Sequence, residues 1–502
     1  MPTRREALQG LTAAAAAAAL PGTARASDPF DEHDATGLAE LVRRRRVSPL
    51  ELLDAAIARL ESVDPKINAV PLRHYELARQ QIRAGIPAGP FQGVPLLLKD
   101  LWIGLAGTIT TGGSRAFRDS LATEDSELTR RFRQAGFVIF GKTASPELGL
   151  TGTTESLLHG ATRNPWDTTR TAGGSSGGAA AVVAARVIPI AHASDGGGSI
   201  RTPASCCGVF GLKPTRARVP MGPQRLEGWS GLSTQLAVSL SVRDMAALLD
   251  AVAGPETGSP YEAPRGPASW LSAAHRPPQR LRIALARKPP SGAPVDPECI
   301  AAVNAAAALC EKLGHVVEEA APEVDSGALN AAFGSVLAAN TWRALRDRGR
   351  ERGRDVTEDE VEMVTWRLAQ WGKTVDAAAM IDARAAFDNA GRQVALFMRD
   401  HDVVLSPTLA RPPVGIGLLS LSPADYDAYL RDITGFGPFT ALQNFTGQPS
   451  MSVPLHWSAG GLPIGTMFSA RNGDEATLLA LASELERARP WRMKKPPVCA
   501  GG

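Results

Sequence analysis

A chain of 502 residues with 44% hydrophobic composition can bury a large core, which excludes a generically disordered polypeptide. A formal charge of +3 and 21% charged residues provide no concentrated basic surface, so nucleic acid is not an expected partner. Five cysteines (Cys206, Cys207, Cys299, Cys310 and Cys499) are too few for a disulfide scaffold and lack zinc-ligand spacing, and their odd number leaves at least one without an intrachain partner.

The chain opens on Thr3-Arg4-Arg5-Glu6, continues through an alanine-dominated stretch from Leu11 to Leu20, and reaches the small-residue pattern Ala24-Arg25-Ala26. This is the tripartite pattern of an export signal, and the paired arginines resemble those of twin-arginine leaders. The apolar stretch is too short for a membrane span, and no later segment suggests stable membrane insertion. Cleavage after Ala26 is expected. It would leave residues 27–502 as a periplasmic or secreted chain and take the formal charge from +3 to +1, through loss of Arg4, Arg5, Arg25 and Glu6.

Apolar residues recur at helical spacing over 37–63, with Ser48 and Pro49 starting a second helix. The run Arg43 to Arg46 reads as a solvated helix face. Residues 74–84 predict another helix. The short apolar run Gly93 to Leu98 reads as a buried strand that delivers Lys99 and Asp100 at its end, and buried lysines are rare unless paired or functional. A helix over 126–135, stopped by Gly136, leads to a strand over 137–140 and then Gly141-Lys142-Thr143. This rhythm predicts a layered α/β fold.

Residues 242–252 read as a helix, 256–276 as a surface loop, 281–286 as a strand, 298–314 as a helix and Val316-Val317 as an edge of structure. Residues 322–398 read as a mostly helical, substrate-side region. A strand at Val403 to Pro407 and a helix over 474–488 close the pattern. No break forces a domain boundary, so residues 27–502 are expected to form one domain.

Two central segments carry the chemistry. Gly173-Gly174-Ser175-Ser176-Gly177-Gly178 precedes an alanine-rich helix, but lacks the Gly-Lys-Ser/Thr ending of a phosphate loop and the spacing of a nucleophile elbow. Ser194-Asp195-Gly196-Gly197-Gly198-Ser199-Ile200-Arg201 places three glycines before a serine. Their accessible N–H groups suit an oxyanion hole beside a nucleophile, and Asp195 and Arg201 are placed to pair across the turn.

Together with Gly93 to Asp100, Gly141 to Thr143, Asn164 to Gly178, Ser194 to Lys213 and Leu442 to Gly465, these segments resemble the amidase signature family across nearly all of the mature length. The resemblance implies an α/β/α layered fold with a mixed central β-sheet and a Ser–Ser–Lys triad. In that triad Ser199 is the nucleophile, Ser175 the bridging serine held by a cis peptide with Gly174, and Lys99 the buried base. It also implies an oxyanion hole from the backbone of Gly196, Gly197, Gly198 and Ser199, with Asp100, Gly174, Ser176, Asp195 and Arg201 in support.

The residue types suit the task. A serine hydroxyl needs a base, and a lysine serves as one only when burial lowers its pKa from about 10.4. His192 completes no Ser-His-Asp set and reads as a packed strand residue or pocket wall. No metal and no organic cofactor are expected.

The expected activity is hydrolysis of a small linear or cyclic carboxamide through a seryl acyl-enzyme. An esterase or urethanase, an amidotransferase subunit and a non-catalytic binding protein are the alternatives, and homodimerisation stays open. The stretch Ala191 to Ser199 resembles relatives that hydrolyse the cyclic dimer of 6-aminohexanoate. Thr151, Thr154, Glu155, the stretch Phe333 to Trp342 and the loop Ile433 to Asn444 are candidate pocket residues.

Overall fold

The computed structural model describes residues 28–501, so the expected leader and its cleavage point lie outside the described residues. The first long helix, α1 (Pro49–Ile67), starts as its sequence dictates: Ser48 Oγ accepts the Glu51 N–H and the Glu51 carboxylate accepts the Ser48 N–H. Strand β1 (Pro95–Lys99) is buried at every residue and runs parallel to β2 (Val138–Thr143), with Lys99 opposite Thr143. A two-residue strand at Leu72–Arg73 pairs antiparallel with the far edge of β2.

The main sheet has eight strands. They are β3 (Ile190–Asp195), β4 (Phe210–Lys213), β5 (Thr234–Ser239), β6 (Arg282–Leu285), β7 (Val316–Glu319), β8 (Val403–Pro407), β9 (Ser450–Trp457) and β10 (Pro463–Ala470), in the spatial order β7-β6-β8-β10-β9-β4-β5-β3. The β7-β6-β8 side is parallel and the remaining pairings are antiparallel, so the sheet is mixed. Helices pack against it, and successive residues of β10 show that both faces are covered: Phe468 joins the main apolar core, while Met467 joins a separate cluster with Ala410 and Phe439. The α/β/α architecture expected from the sequence is the one observed.

Two short helices sit at the centre. Helix α2 (Gly177–Ala184) follows the first glycine–serine loop and is wholly buried. Helix α3 (Arg201–Cys207) follows the second and packs on β9 and β10. The region expected to be helical resolves into α4 (Ser326–Arg352), α5 (Met363–Gly372) and α6 (Ala377–Phe397), which pack on one another.

One stretch departs from expectation. Residues 256–276 are not loop throughout, because Trp270–Ala274 forms a short helix. The Asp250 carboxylate accepts the Trp270 N–H at 2.6 Å, and the buried indole lies under the Arg218 guanidinium at 5.3 Å.

Candidate active site

Lys99 ends β1 with its side chain fully buried. Its Nζ lies 2.7 Å from Ser175 Oγ and 3.0 Å from Ser194 Oγ. Burial drives its pKa from 10.5 down to about 7, with the Asp195 charge opposing the fall. A lysine in that state exchanges a proton with a hydroxyl near neutral pH. Asp100, the next residue, turns the other way: its carboxylate accepts the Thr111 N–H at 2.7 Å and the Thr111 hydroxyl, so it braces a neighbouring loop.

Ser175 is held by its loop. The Gly174–Ser175 peptide is cis, and a Cβ on Gly174 would sit 2.2 Å from the Thr153 carbonyl oxygen, so only glycine fits there. Ser176 Oγ both donates to the Ser194 carbonyl at 3.1 Å and accepts the Ser194 N–H at 3.3 Å, tying the two glycine–serine loops together.

The second glycine–serine loop, which carries Ser199, is fixed by a buried ion pair. Arg201 donates to both Asp195 oxygens at 2.9 and 3.0 Å with both side chains fully buried, as the sequence led one to expect. Burial alone would raise the Asp195 pKa; the charge and hydrogen bonds of Arg201, with Lys213 and Asn444, outweigh it and bring the value to about 2. Gln443 and Asn444 extend this network, accepting from Arg201 at 2.9 and 2.8 Å, while Asn444 Nδ2 donates to Asp195 Oδ1 at 2.9 Å. A polar pair inside the apolar segment 441–445 was the signal available for them.

The same carboxylate corrects one expectation. The Gly198 N–H donates to Asp195 Oδ1 at 2.8 Å, so it is committed to holding the loop and leaves the N–H groups of Gly196, Gly197 and Ser199 as the candidate oxyanion donors. Thr440 Oγ1 donates to the Gly197 carbonyl at 2.6 Å and secures the loop from the other side.

Ser199 lies where two cavities meet. One is a cleft of about 460 Å³ lined by Leu329, Phe333 and Leu337 along one stripe of α4, by Val364, Leu368 and Trp371 on α5, and by Tyr429, Ile433 and Phe436. The other is a chamber of about 40 Å³ lined by Ser175, Ser194, Trp102, Arg225 and Gln235. Trp229 and Gly149 border both. Ser199 Oγ has no hydrogen-bond partner among the described residues, so its link to Ser175 is open here; such links commonly tighten only in the reacting complex.

Of the expected pocket residues, Thr151, Phe333 and much of 433–442 line the cleft. Thr154 does not: its hydroxyl donates to the Gly173 carbonyl at 2.9 Å and braces the first loop. Glu155 is also absent from the lining and accepts the Gly417 N–H at 2.7 Å. His192 is a buried strand residue and lines neither cavity. Ser194, Trp102, Arg225 and Trp229 were not singled out from sequence. Among the described residues no His/Cys/Asp/Glu cluster is grouped to hold a metal ion, and no helix is long and apolar enough to cross a membrane.

A family model described as Amidase matches residues 51–479. The chain is 38% identical over 478 residues to a 6-aminohexanoate-cyclic-dimer hydrolase of Paenarthrobacter ureafaciens, covering 92% of this chain and 96% of that protein. It is 39% identical over 458 residues to the putative amidase AmiB2 of Mycobacterium tuberculosis, covering 89% and 94%. Among solved structures, 6-aminohexanoate cyclic dimer hydrolase superposes with a TM-score of 0.88 at 38% identity, covering 94% of this chain and 99% of that one. A bacterial aryl acylamidase of the amidase signature family superposes with a TM-score of 0.83 at 27% identity, covering 92% and 98%. The chain belongs to the amidase signature family and is a hydrolase of carbon–nitrogen amide bonds.

Proposed function

We propose that this amidase cleaves a small linear or cyclic aliphatic carboxamide through an acyl-enzyme on Ser199. The observation that carries the reading is the fully buried Lys99 amine, with its pKa near 7, hydrogen-bonded at 2.7 Å to Ser175 Oγ in the chamber that Ser199 also lines. Ser175 takes the Ser199 proton while passing its own to Lys99. The Ser199 oxygen then attacks the carbonyl carbon. Negative charge on the carbonyl oxygen is met by the N–H groups of Gly196, Gly197 and Ser199, each donor being worth about 3 kcal/mol in comparable acyl transfer. The relay reverses to protonate the leaving nitrogen, and water attacks the ester by the same route.

The cleft supports an aliphatic acyl group, because Leu329, Phe333, Leu337, Leu368, Ile433 and Phe436 give it apolar walls. The relative named for the 6-aminohexanoate cyclic dimer makes that compound a leading candidate. The test is a panel of the cyclic dimer, short fatty amides, anilides, peptide amides, esters and carbamates, with products identified by mass spectrometry. Release of amine from aliphatic amides supports the reading; activity confined to carbamates, esters or peptide amides overturns it.

The leader belongs to the same proposal: residues 1–26 direct twin-arginine export and residues 27–502 form the mature single domain. Full-length protein starting at Met1 or Pro2 and retained in the cytoplasm would overturn that part.

A further inference from the structure

Among the residues lining the chamber beside Ser199, Arg225 alone is cationic, and no carboxylate lines it. The Arg225 guanidinium carbon lies 3.7 Å from the centroid of the Trp102 ring, and that ring is braced edge-on by Phe117 at 5.9 Å. Among buried guanidinium groups, Arg201 is paired with Asp195 and Arg218 with Glu475, and Arg186 donates to the Arg492 and Lys494 carbonyls. Arg225 forms no salt bridge and no hydrogen bond among the described residues; Arg343, Asp347 and Glu351 act on it only through their charges. Burial lowers its pKa to about 10, so it is still charged at neutral pH. Stacking fixes the plane of the group and leaves its fork of N–H donors free, a geometry that matches a carboxylate.

The triad decides which part of a substrate meets this group. The leaving nitrogen receives its proton through Ser175, and Ser175 lines the small chamber, whereas the lining of the large cleft includes neither Ser175 nor Ser194. The amine therefore departs into the chamber and the acyl chain occupies the cleft. The chamber, about 40 Å³ against about 460 Å³ for the cleft, suits the shorter of the two parts of the substrate.

We propose that the chamber is a carboxylate-recognising leaving-group site, so that the preferred substrates are aliphatic N-acyl derivatives of short amino acids, with the carboxylate on Arg225. This rests on the Ser199–Ser175–Lys99 reading above and narrows its substrate class, ranking the cyclic dimer, which carries no carboxylate, below the amino-acid conjugates. Ser199 Oγ bonds to the carbonyl carbon, the C–N bond breaks, and the nitrogen takes the relayed proton, releasing the free amino acid. Water then splits the ester, giving the fatty acid and restoring the Ser199 hydroxyl.

The test compares N-octanoylglycine with N-isobutyloctanamide, a neutral amide of similar shape, by octanoate release from the wild type, Arg225→Met and Arg225→Lys. The wild-type kcat/KM ratio is expected to favour the glycine conjugate by about tenfold to a hundredfold, the range for a charge-assisted hydrogen bond. It should fall to near one in Arg225→Met and recover in part in Arg225→Lys. A ratio within one preparation is insensitive to lost folded protein. A wild-type ratio near one, or one unchanged in Arg225→Met, overturns the proposal while cleavage of both amides leaves the triad reading standing. Cleavage of neither amide also overturns it, and fluorophosphonate labelling of Ser199 then shows whether the triad reading falls too.

Discussion

His192 Nδ1 accepts the main-chain N–H of Lys99 at 3.0 Å, so a side chain on the edge strand β3 holds the peptide that carries the buried amine. Accepting at Nδ1 places the ring proton on Nε2, which donates to Gln235 Oε1 at 2.9 Å. Burial lowers the His192 pKa to about 3 and keeps the ring neutral. His192→Phe keeps the bulk but strands the Lys99 N–H and the Gln235 carboxamide. The expected cost is about 1–3 kcal/mol of stability, read as a lower urea midpoint, together with slower labelling of Ser199. An unchanged midpoint would make this bond dispensable.

The Lys99 pKa near 7 sets a pH dependence. The base acts when neutral, so kcat/KM should rise with pH through about 7 as one proton is lost, and fall on the acidic side. Lys99→Ala should remove most of the rate and change that limb. Lys99→Arg should not rescue, because a guanidinium stays charged throughout. A pH–rate profile with its acidic limb unmoved in an active Lys99→Ala variant would refute the assignment.

The two serines should separate by covalent labelling. Intact-protein mass spectrometry after a slow ester or fluorophosphonate should place the added mass on Ser199. The adduct should be absent in Ser199→Ala and form slowly in Ser175→Ala. A label on Ser175 of the wild type, with Ser199→Ala turning over normally, would reverse the two roles.

A second titration sits where the helical region meets the core. The Glu362 N–H donates to Glu147 Oε2 at 2.7 Å, and burial followed by the Glu147 charge pushes the Glu362 carboxyl from 4.5 up to about 8. Between those values the folded chain keeps a proton that the unfolded chain has lost. Stability therefore falls as pH rises through that window. Glu362→Gln can keep the bond from the Leu157 N–H, 3.2 Å in this structure, and should flatten the alkaline decline. Thermal midpoints measured from mildly acidic to alkaline pH should diverge in favour of the variant; parallel curves would show that Glu362 does not titrate there.

The site was more legible than the sheet that supports it. Lys99, Ser175 and Ser199 stand out because glycine runs and a charged strand end are rare in a core. The central strands β9 and β10 gave no such signal. Both are buried on two faces, so apolar and polar residues do not alternate; β9 carries Pro454 next to a bulge, and β10 carries Gly465, where a Cβ would meet Ser452 Oγ at 2.4 Å. The commitment of the Gly198 N–H to Asp195 was equally hidden, since three consecutive glycines are indistinguishable until the carboxylate is placed. Arg225 lies in a loop without periodicity, and its meaning depends on Trp102, 123 residues earlier in the chain.

Because Ser175 opens onto the small chamber alone, the proposed relay makes that chamber serve two visitors in turn. The amine has to vacate it before hydrolytic water can take up the position next to the relay. Any amine that returns first meets an activated ester with its own proton acceptor in place, and re-forms an amide. On the proposed relay, partition between water and amine, and with it the balance between breaking and making acyl–nitrogen bonds, turns on which of the two occupies that small chamber.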